Sequence, residues 1–163
     1  MRNHIQFIPI GIIHTPFTNP EGVPVQAQGG NGINGSIEVF EQYAAGLKDL
    51  NGFSHIMLMY HFHLSKGYTL EVTPFLDEEP RGLFATRAPN RPNPIGISVV
   101  RLIEIKGSKL LIEDVDMVDG TPLLDIKPYV PAFDVRENVR TGWLEGKGGL
   151  VCKTRADGRF KTN

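Results

Sequence analysis

The sequence predicts a mainly-β fold, a small single-domain β-barrel with one short helix and an irregular C-terminal tail. Short apolar or alternating runs bounded by Gly, Pro, Asn or Asp recur along the chain, which is typical of short strands. Helical character is confined to one stretch. The 163 residues, 40% of them hydrophobic, provide for one core. Many strands with little helix favour a closed barrel over a doubly wound sheet.

The predicted strands occupy six runs, residues 7–15, 51–63, 68–74, 82–86, 95–105 and 109–116. Lys106 to Lys109 predict a hairpin turn between the last two. Residues 41–50 predict the helix, which Gly46 weakens. The glycine-rich residues 28–36 predict a mobile surface loop, since the sequence contains neither a P-loop nor a GxGxxG pattern. We expect a barrel domain over residues 1–135 and a C-terminal extension over 136–163.

Charge and cysteine content limit the classes of function and the cellular compartment that are compatible with the sequence. Seventeen basic and eighteen acidic residues give a net charge of -1, so any basic surface must be local. The lone Cys152 excludes an intrachain disulfide, and the N-terminus lacks the pattern of a signal peptide. The longest apolar stretch, residues 53–64, is too short to span a bilayer. We therefore expect a cytoplasmic protein that does not enter a membrane.

The run 54–63 alternates with a two-residue period. Ile56, Leu58, Tyr60 and Phe62 point one way, and the histidines and methionines point the other way. The imidazoles of His61 and His63 lie on one face and suit a metal ion. No third ligand has the required spacing, so no metal site is expected. Packed or substrate-facing histidines are the favoured interpretation, with His63 at the strand end the one of interest.

Residues 115–131 concentrate acids at Asp116, Asp119 and Asp125, followed by Lys127. A turn joining two strands explains the Gly and Pro of this segment, because they are turn residues. That interpretation leaves the clustering of ionisable groups beside an apolar sheet unexplained. A functional role, with Asp119 the leading contributor, is the alternative we favour.

Residues 87–96, "RAPNRPNPIG", form a stiff elbow in which three prolines fix the backbone. Arg87 and Arg91 offer planar donors to carboxylate or phosphate, and Asn90 and Asn93 offer amides. A structural turn with solvated arginines is the alternative. Three prolines with four polar side chains favour a preorganised binding site.

Four blocks, "GIIHTPF", "GSIEVFEQYAAGLKDLNGFSHIMLMYHFH", "RGLFATRAPNRPNPIGISVVRL" and "DMVDGTPLLDIKPYVP", resemble the TsaA-like family in sequence and order. The resemblance covers residues 7–133. It implies a small homodimeric β-barrel that binds S-adenosylmethionine without a Rossmann fold. It also implies methylation of the exocyclic amine of threonylcarbamoyladenosine beside the anticodon of tRNA. The alternatives are a methyltransferase with another substrate and a non-catalytic nucleotide- or RNA-binding barrel.

The resemblance also implies the site residues. The implied cofactor contacts are Pro24, Val25, Gln26, His63, Leu64, Arg87, Ile97, Asp116, Met117, Val118 and Asp119. In the segment "VPVQ", Val25 stands where the family often has an arginine. Bacterial members continue into a further domain implicated in tRNA binding, whereas this chain stops about thirty residues after the last block.

A ureido N–H must lose a proton during methylation, and Asp119, His63 or Tyr129 could accept it. Arg91, Asn93 and Lys127 are the expected substrate contacts. We place Trp143 near a dimer interface, over the barrel mouth or simply packed in the tail. Phosphate contacts are expected from two basic patches, one around the elbow and one in the tail: Arg81, Arg87, Arg91 and Arg101, and Lys147, Lys153, Arg155, Arg159 and Lys161. The tail over residues 153–163 is expected to be disordered, and cofactor binding should not depend on it.

Overall fold

Alternating apolar residues close the chain into a barrel. In the computed structural model, which describes residues 4–160, six antiparallel strands surround the core in the order β1-β2-β7-β6-β3-β8, and β8 pairs with β1. The strands are β1 Gly11–His14, β2 Asn34–Val39, β3 His55–His61, β6 Ile95–Lys106, β7 Lys109–Glu113 and β8 Thr121–Pro128, with a separate ribbon of β4 Glu71–Val72 and β5 Arg81–Gly82. The predicted mainly-β barrel is confirmed.

Helical structure is sparse. The α-helix of the described chain, α1, spans Pro131–Asp134. The 3₁₀ segments are Ala27–Gly30, Glu41–Leu47, Leu50–Gly52, Leu83–Ala85, Gly142–Leu144 and Gly148–Lys153. The helix predicted over 41–50 is therefore a 3₁₀ segment, and it ends before Asp49, which has a left-handed φ of 65°. No helix within residues 4–160 is long and apolar enough to cross a membrane.

Several predicted strand boundaries need correction. The run 82–86 is a short strand end followed by a 3₁₀ turn, and 68–74 contains only the two-residue β4. The loop predicted over 28–36 includes the start of β2, which the sequence pattern missed. Gly35 lets β2 approach its neighbours, because a Cβ there would lie 2.7 Å from Cγ1 of Val115. The predicted hairpin is confirmed, since Lys106 pairs with Lys109 and Gly107 has a φ of 60°.

The barrel interior is filled by inward-facing aliphatic side chains. In β3 the buried residues are Ile56, Leu58 and Tyr60, as the alternation predicts. They pack with buried residues of every other barrel strand, among them Ile13, Ile37, Val100, Leu110 and Leu123. Two polar side chains also face inward in this region, the Tyr60 hydroxyl and Ser98.

The antiparallel topology brings three long connections to one end of the barrel. They are residues 15–33 between β1 and β2, residues 62–94 between β3 and β6, and residues 114–120 between β7 and β8. We call this end the site rim. The opposite end carries residues 40–54, the turn at 107–108 and the chain that leaves β8. Consequently, segments far apart in sequence share the site rim.

The C-terminal segment is ordered against the site rim. The N–H groups of Gly22 and Ala156 donate to the carbonyls of Ala156 and Val23 at 2.9 and 2.8 Å. The Phe160 ring meets the Phe75 ring edge-on with centroids 5.0 Å apart. The prediction of a disordered tail is therefore wrong for residues 153–160, because this segment pairs with the first long connection. Residues 161–163, which include Lys161, lie outside the described part of the chain.

Candidate functional site

The elbow, residues 87–96, is fastened to the end of β3. The N–H of Phe62 donates to the carbonyl of Pro94 at 2.8 Å. The Ser65 hydroxyl lies 3.1 Å from the Pro89 carbonyl and 2.8 Å from Oδ1 of Asn90. The proline-rich loop is thus held in place by backbone and hydroxyl contacts as well as by its fixed φ angles.

Arg91 does not face solvent as a free recognition group. Its guanidinium donates to the carbonyls of Thr86 at 2.9 Å and Ala88 at 3.3 Å, and it lies 5.8 Å from the centre of the Phe84 ring. One NH₂ group of Arg91 therefore braces the turn from within, and its role as a substrate contact stays a prediction. Asn93 is exposed at the outer bend of the elbow.

Arg87 joins two of the three connections at the site rim. Its guanidinium donates to Oε1 of Gln26 at 2.6 Å, which links the elbow to the segment 23–26. Pro24 is buried, and the N–H of Val25 donates to the carbonyl of Thr154 at 3.4 Å. The structure therefore brings together predicted site residues that are sixty positions apart.

Asp116 lies between these segments and the barrel interior. Its Oδ1 accepts a hydrogen bond of 2.5 Å from the Ser98 hydroxyl, and the Ser98 oxygen lies 3.0 Å from the Tyr60 hydroxyl. Burial raises the pKa of Asp116 to about 6, although Ser98, Arg87 and the N–H of Ala27 favour its ionised form. Burial, together with the Asp116 charge, also raises the pKa of the Tyr60 phenol, so Tyr60 stays protonated.

The rest of the third connection is anchored to β1. Asp119 accepts the N–H of Thr15 at 3.1 Å and lies 3.2 Å from Nδ1 of His14. The Met117 carbonyl accepts the Thr15 hydroxyl at 2.8 Å, and the Val118 carbonyl accepts the Thr121 hydroxyl at 2.6 Å. The Met117 side chain is in the core, so its backbone is the part that a ligand could reach.

The remaining predicted contacts are spread more widely. His63 is half-buried at the site rim, and burial, followed by the neighbouring His61, lowers its pKa. Leu64 is 47% exposed beside it. Ile97 is 51% exposed on the outer wall of β6, opposite Met59 of β3. Its side chain points away from the barrel interior that Ser98 faces.

Two predicted site residues lie away from the site rim. Tyr129 follows β8 at the opposite end, where its N–H donates to the His55 carbonyl and its ring meets His55 edge-on. Within one chain it therefore lies away from Asp116 and His63, and its role as a proton acceptor stays a prediction. Lys127 pairs with Asp125 at 2.8 Å and lies opposite Met57 in the sheet.

Four of the cations expected to bind phosphate have acidic partners. Arg81 and Lys147 both contact Asp77, at 2.8 and 3.2 Å. Arg101 pairs with Glu113, and Arg159 pairs with Asp157 at 2.7 Å. The expectation of two concentrated basic patches is weakened, because these pairs neutralise the local charge.

Trp143 packs against the second connection of the site rim, residues 62–94, and its place at a dimer interface stays a prediction. Its indole N–H donates to the Ala85 carbonyl at 2.7 Å, and the Lys147 ammonium lies 5.5 Å from the ring centre. Within residues 4–160 no three His, Cys, Asp or Glu side chains come together as metal ligands.

The site rim thus offers a guanidinium, an amide and a half-buried carboxylate, with the apolar Leu64 nearby. Such a set suits a ligand that carries both charges and apolar groups. Sequence reasoning missed Tyr60 and Ser98 as members of the site. The available signal was their polarity at inward positions of otherwise apolar alternation.

Together the fold and the site define a class: small β-barrels whose ligand site is built from loops at one end, without a glycine-rich phosphate loop. Residues 12–135 match the family model of the tRNA-methyltransferase O N-terminal domain. The chain belongs to this family, so the resemblance stated from the sequence is confirmed.

Three similar proteins illustrate the range of the family. A probable S-adenosyl-L-methionine-binding protein of Pyrococcus abyssi is 62% identical over 156 residues, which is 96% of this chain and 85% of the relative. A tRNA (adenine(37)-N6)-methyltransferase of Mus musculus is 33% identical, over 80% of this chain and 32% of the relative. The crystal structure of TrmO from Pseudomonas aeruginosa matches with a TM-score of 0.73 and 34% identity, over 86% of this chain and 63% of that chain.

Proposed function

We propose that this protein is an S-adenosylmethionine-dependent methyltransferase that methylates the exocyclic amine of threonylcarbamoyladenosine beside the anticodon of tRNA. The observation that carries the proposal is the meeting of Arg87, Gln26 and Asp116 at the site rim in a member of this family. The names of the relatives support the cofactor and the reaction class, since they describe S-adenosylmethionine binding and tRNA adenine N6 methylation.

The donor set fits the cofactor chemically. Arg87 suits the methionyl carboxylate, and Gln26 with the backbone of residues 116–119 suits the polar groups of the ribose and adenine. Leu64 provides an apolar surface. When bound, the cofactor supplies an electrophilic methyl group: the N–C bond forms as the C–S bond breaks, the bonding pair goes to sulfur, and the N–H proton goes to a base.

The chain itself supplies alignment. Methyl transfer is an in-line displacement, so its rate depends on holding the nitrogen and the methyl carbon in a fixed arrangement. The elbow is rigid because of Pro89, Pro92 and Pro94 and because Arg91 caps the carbonyls inside it. Asn93, exposed on this elbow, and His63 beside it are the proposed contacts to the substrate.

A molecule smaller than tRNA is the second candidate substrate. The acidic partners of Arg81, Arg101, Lys147 and Arg159 neutralise four of the cations that were expected to bind a polyanion. This observation favours a methyltransferase that acts on a smaller molecule. The chain also spans 63% of the length of the TrmO structure from Pseudomonas aeruginosa that it matches. A tRNA substrate is therefore a proposal for this chain.

The deciding experiment is incubation with methyl-labelled S-adenosylmethionine and tRNA that contains unmethylated threonylcarbamoyladenosine, followed by nucleoside analysis. We expect label in one nucleoside, with its mass raised by one methyl group. Arg87→Ala provides the inactive comparison. Label absent from tRNA, together with calorimetric binding of S-adenosylhomocysteine, would contradict a tRNA substrate and leave a methyltransferase of smaller molecules or a non-catalytic binding barrel.

We also propose a homodimer. The outer wall of β3 and β6 carries an apolar strip in which Met57 pairs with Val99 and Met59 pairs with Ile97, and Ile95 follows opposite His61. A second copy seated on this strip would cover Ile97, which otherwise stands in solvent. Sedimentation at micromolar concentration should give a dimer, and Ile97→Glu should give a monomer.

Two further expectations remain proposals. The family match ends at residue 135, which supports a barrel unit over 1–135 and an extension over 136–163. A cytoplasmic location is supported by the single cysteine and by a proposed tRNA substrate.

A further inference from the structure

Three side chains form a hydrogen-bonded chain from the barrel interior to the site rim. The Tyr60 hydroxyl lies 3.0 Å from the Ser98 oxygen, and the Ser98 hydroxyl donates to Oδ1 of Asp116 at 2.5 Å. Tyr60 is 3% exposed and Ser98 is 5% exposed. Placing two hydroxyl groups inside an apolar core is unfavourable unless they bond to each other or to a partner.

The direction of the chain follows from proton counting. Ser98 has one hydroxyl proton, and it donates that proton to the Asp116 carboxylate. The Ser98 oxygen must then accept from Tyr60, which remains protonated because burial disfavours the phenolate. Each donor polarises the next, so the bond that reaches Asp116 is stronger than an isolated one.

From this geometry we propose that Asp116 is the proton acceptor for the nitrogen that is methylated, and that Ser98 and Tyr60 are the positioning residues that orient its carboxylate. This inference rests on the proposed function. The N–H bond of the substrate breaks, its proton moves to the Asp116 carboxylate, and the nitrogen keeps the electron pair with which it bonds to the methyl carbon.

The other candidate acceptors are placed less suitably. Tyr129 lies at the opposite end of the barrel. Asp119 is also held by partners, His14 and the N–H of Thr15, but its side chain is 44% exposed, whereas Asp116 ends a chain of buried hydroxyl groups. His63 lies beside His61, where its interactions favour a neutral imidazole but include no orienting side chain among the described residues. Asp116 alone of the four combines the site rim with a chain of orienting donors.

The electrostatic surroundings of Asp116 support the same role. The titratable and charged groups that act on it are Tyr60 from β3 and Arg87 from the elbow, while β6 contributes Ser98 and the first connection contributes the N–H of Ala27. Burial outweighs these donors and raises its pKa to about 6. A carboxyl group with such a pKa is ionised at neutral pH and is a stronger base than an exposed aspartate.

The first test uses the cofactor-free protein and follows the Asp116 carboxyl carbon by NMR as pH is changed. Ser98→Ala should raise the Asp116 pKa by about 0.5 to 1 unit, because it removes a donor to the ionised form. Tyr60→Phe should raise it by less, and Ser98→Thr should restore it. Ser36→Ala and Tyr43→Phe are matched controls, since they remove hydroxyl groups from β2 and from the 3₁₀ segment that follows it.

The second test follows tRNA methylation against pH and the affinity for S-adenosylhomocysteine. The acidic limb of turnover should move to higher pH in Ser98→Ala by the same amount as the Asp116 titration, and Asp116→Asn should lose at least a hundredfold in turnover. The affinity of Ser98→Ala for S-adenosylhomocysteine should stay within about threefold of the wild type.

The outcomes separate this inference from the proposed function. If tRNA is methylated but the acidic limb does not follow the Asp116 titration, or if Asp116→Asn loses cofactor affinity instead of turnover, the inference is overturned and the proposed function stands. If no tRNA is methylated, the proposed function fails, and the titration of the free protein still decides whether Ser98 and Tyr60 position Asp116.

Discussion

The ring of Tyr60 lies directly against the α-carbon of Gly96. A Cβ built on Gly96 would lie 2.5 Å from Cζ of Tyr60, well inside van der Waals contact. The Phe62 ring closes the same space at 2.9 Å and meets Tyr60 edge-on. Gly96, the last residue of the elbow, is therefore a packing requirement for the phenol that donates to Ser98.

Gly96→Ala should lower the free energy of unfolding by about 2 to 3 kcal/mol, because the added methyl group displaces a buried aromatic ring. Denaturant unfolding measures this change. Gly46→Ala is the control: no atom lies within 4 Å of a Cβ at that position, so its effect should stay within about 0.5 kcal/mol. Equal stabilities for the two variants would contradict the close contact.

Asp116→Asn should be more stable than the wild type above pH 7. The folded-state pKa of about 6 lies above the unfolded value, so Asp116 contributes stability that is fully present below about pH 4 and is lost as pH rises through 6. Two pKa units correspond to at most about 2.7 kcal/mol. We expect Asn to gain about 1 to 2 kcal/mol at pH 8 and nothing at pH 4.

Unfolding by urea at several pH values checks this prediction. The difference between Asp116→Asn and the wild type isolates the one carboxyl group, since the other ion pairs, such as Asp77 with Arg81, are common to both. A difference that is the same at pH 4 and pH 8 would show that the pKa of Asp116 is not raised in the folded protein.

The sequence pattern predicted the strands that alternate and missed those that do not. β6 alternates as far as Leu102, where a bulge interrupts the period, and β7 alternates along its whole length. Both strands and the two-residue turn between them were therefore predictable. β2 starts with Asn34 and Gly35, and β8 contains Pro122 and Asp125, residues that indicate turns. These two strands form because neighbours on both sides satisfy their backbone groups.

The sequence predicted those site residues that lie in the loop motifs. Arg87 and Asp116 lie in motifs with unusual composition, and the structure brings them together. Ser98 and Tyr60 belong to the barrel wall, where an apolar pattern conceals a polar pair until the register of β3 and β6 is known. The order of residues 153–160 depends on partners about 130 positions earlier, which no local pattern contains.

Arg87→Ala should weaken S-adenosylhomocysteine binding by more than about 1.5 kcal/mol, roughly a tenfold change or more, because it removes a charge-assisted donor. It also releases Gln26, with which Arg87 shares a bond of 2.6 Å. Calorimetry measures the change. Arg101→Ala is the matched control, since its guanidinium pairs with Glu113 on the outer wall and should leave the affinity unaltered.

Deletion of residues 153–163 should weaken cofactor binding, contrary to the expectation from sequence. The bonds from Ala156 and Thr154 hold residues 22–25, and the Phe160 carbonyl accepts the Asn90 amide of the elbow at 3.2 Å. The tail therefore fixes the segment that contains Gln26 and the elbow that contains Arg87. Without the tail, ligand binding must order these two segments, which adds an entropic cost.

Phe160→Ala tests the same idea without removing the chain, because it takes away the edge-on contact with Phe75 and leaves the backbone bonds. We expect about a threefold to tenfold loss of affinity for S-adenosylhomocysteine in Phe160→Ala and a larger loss on deletion. Phe133→Ala, at an exposed phenylalanine in α1 beyond the opposite end of the barrel, should bind normally. Unchanged affinity in the deletion variant would show that residues 22–26 keep their position without the tail, and it would return residues 153–160 to the role of a peripheral extension.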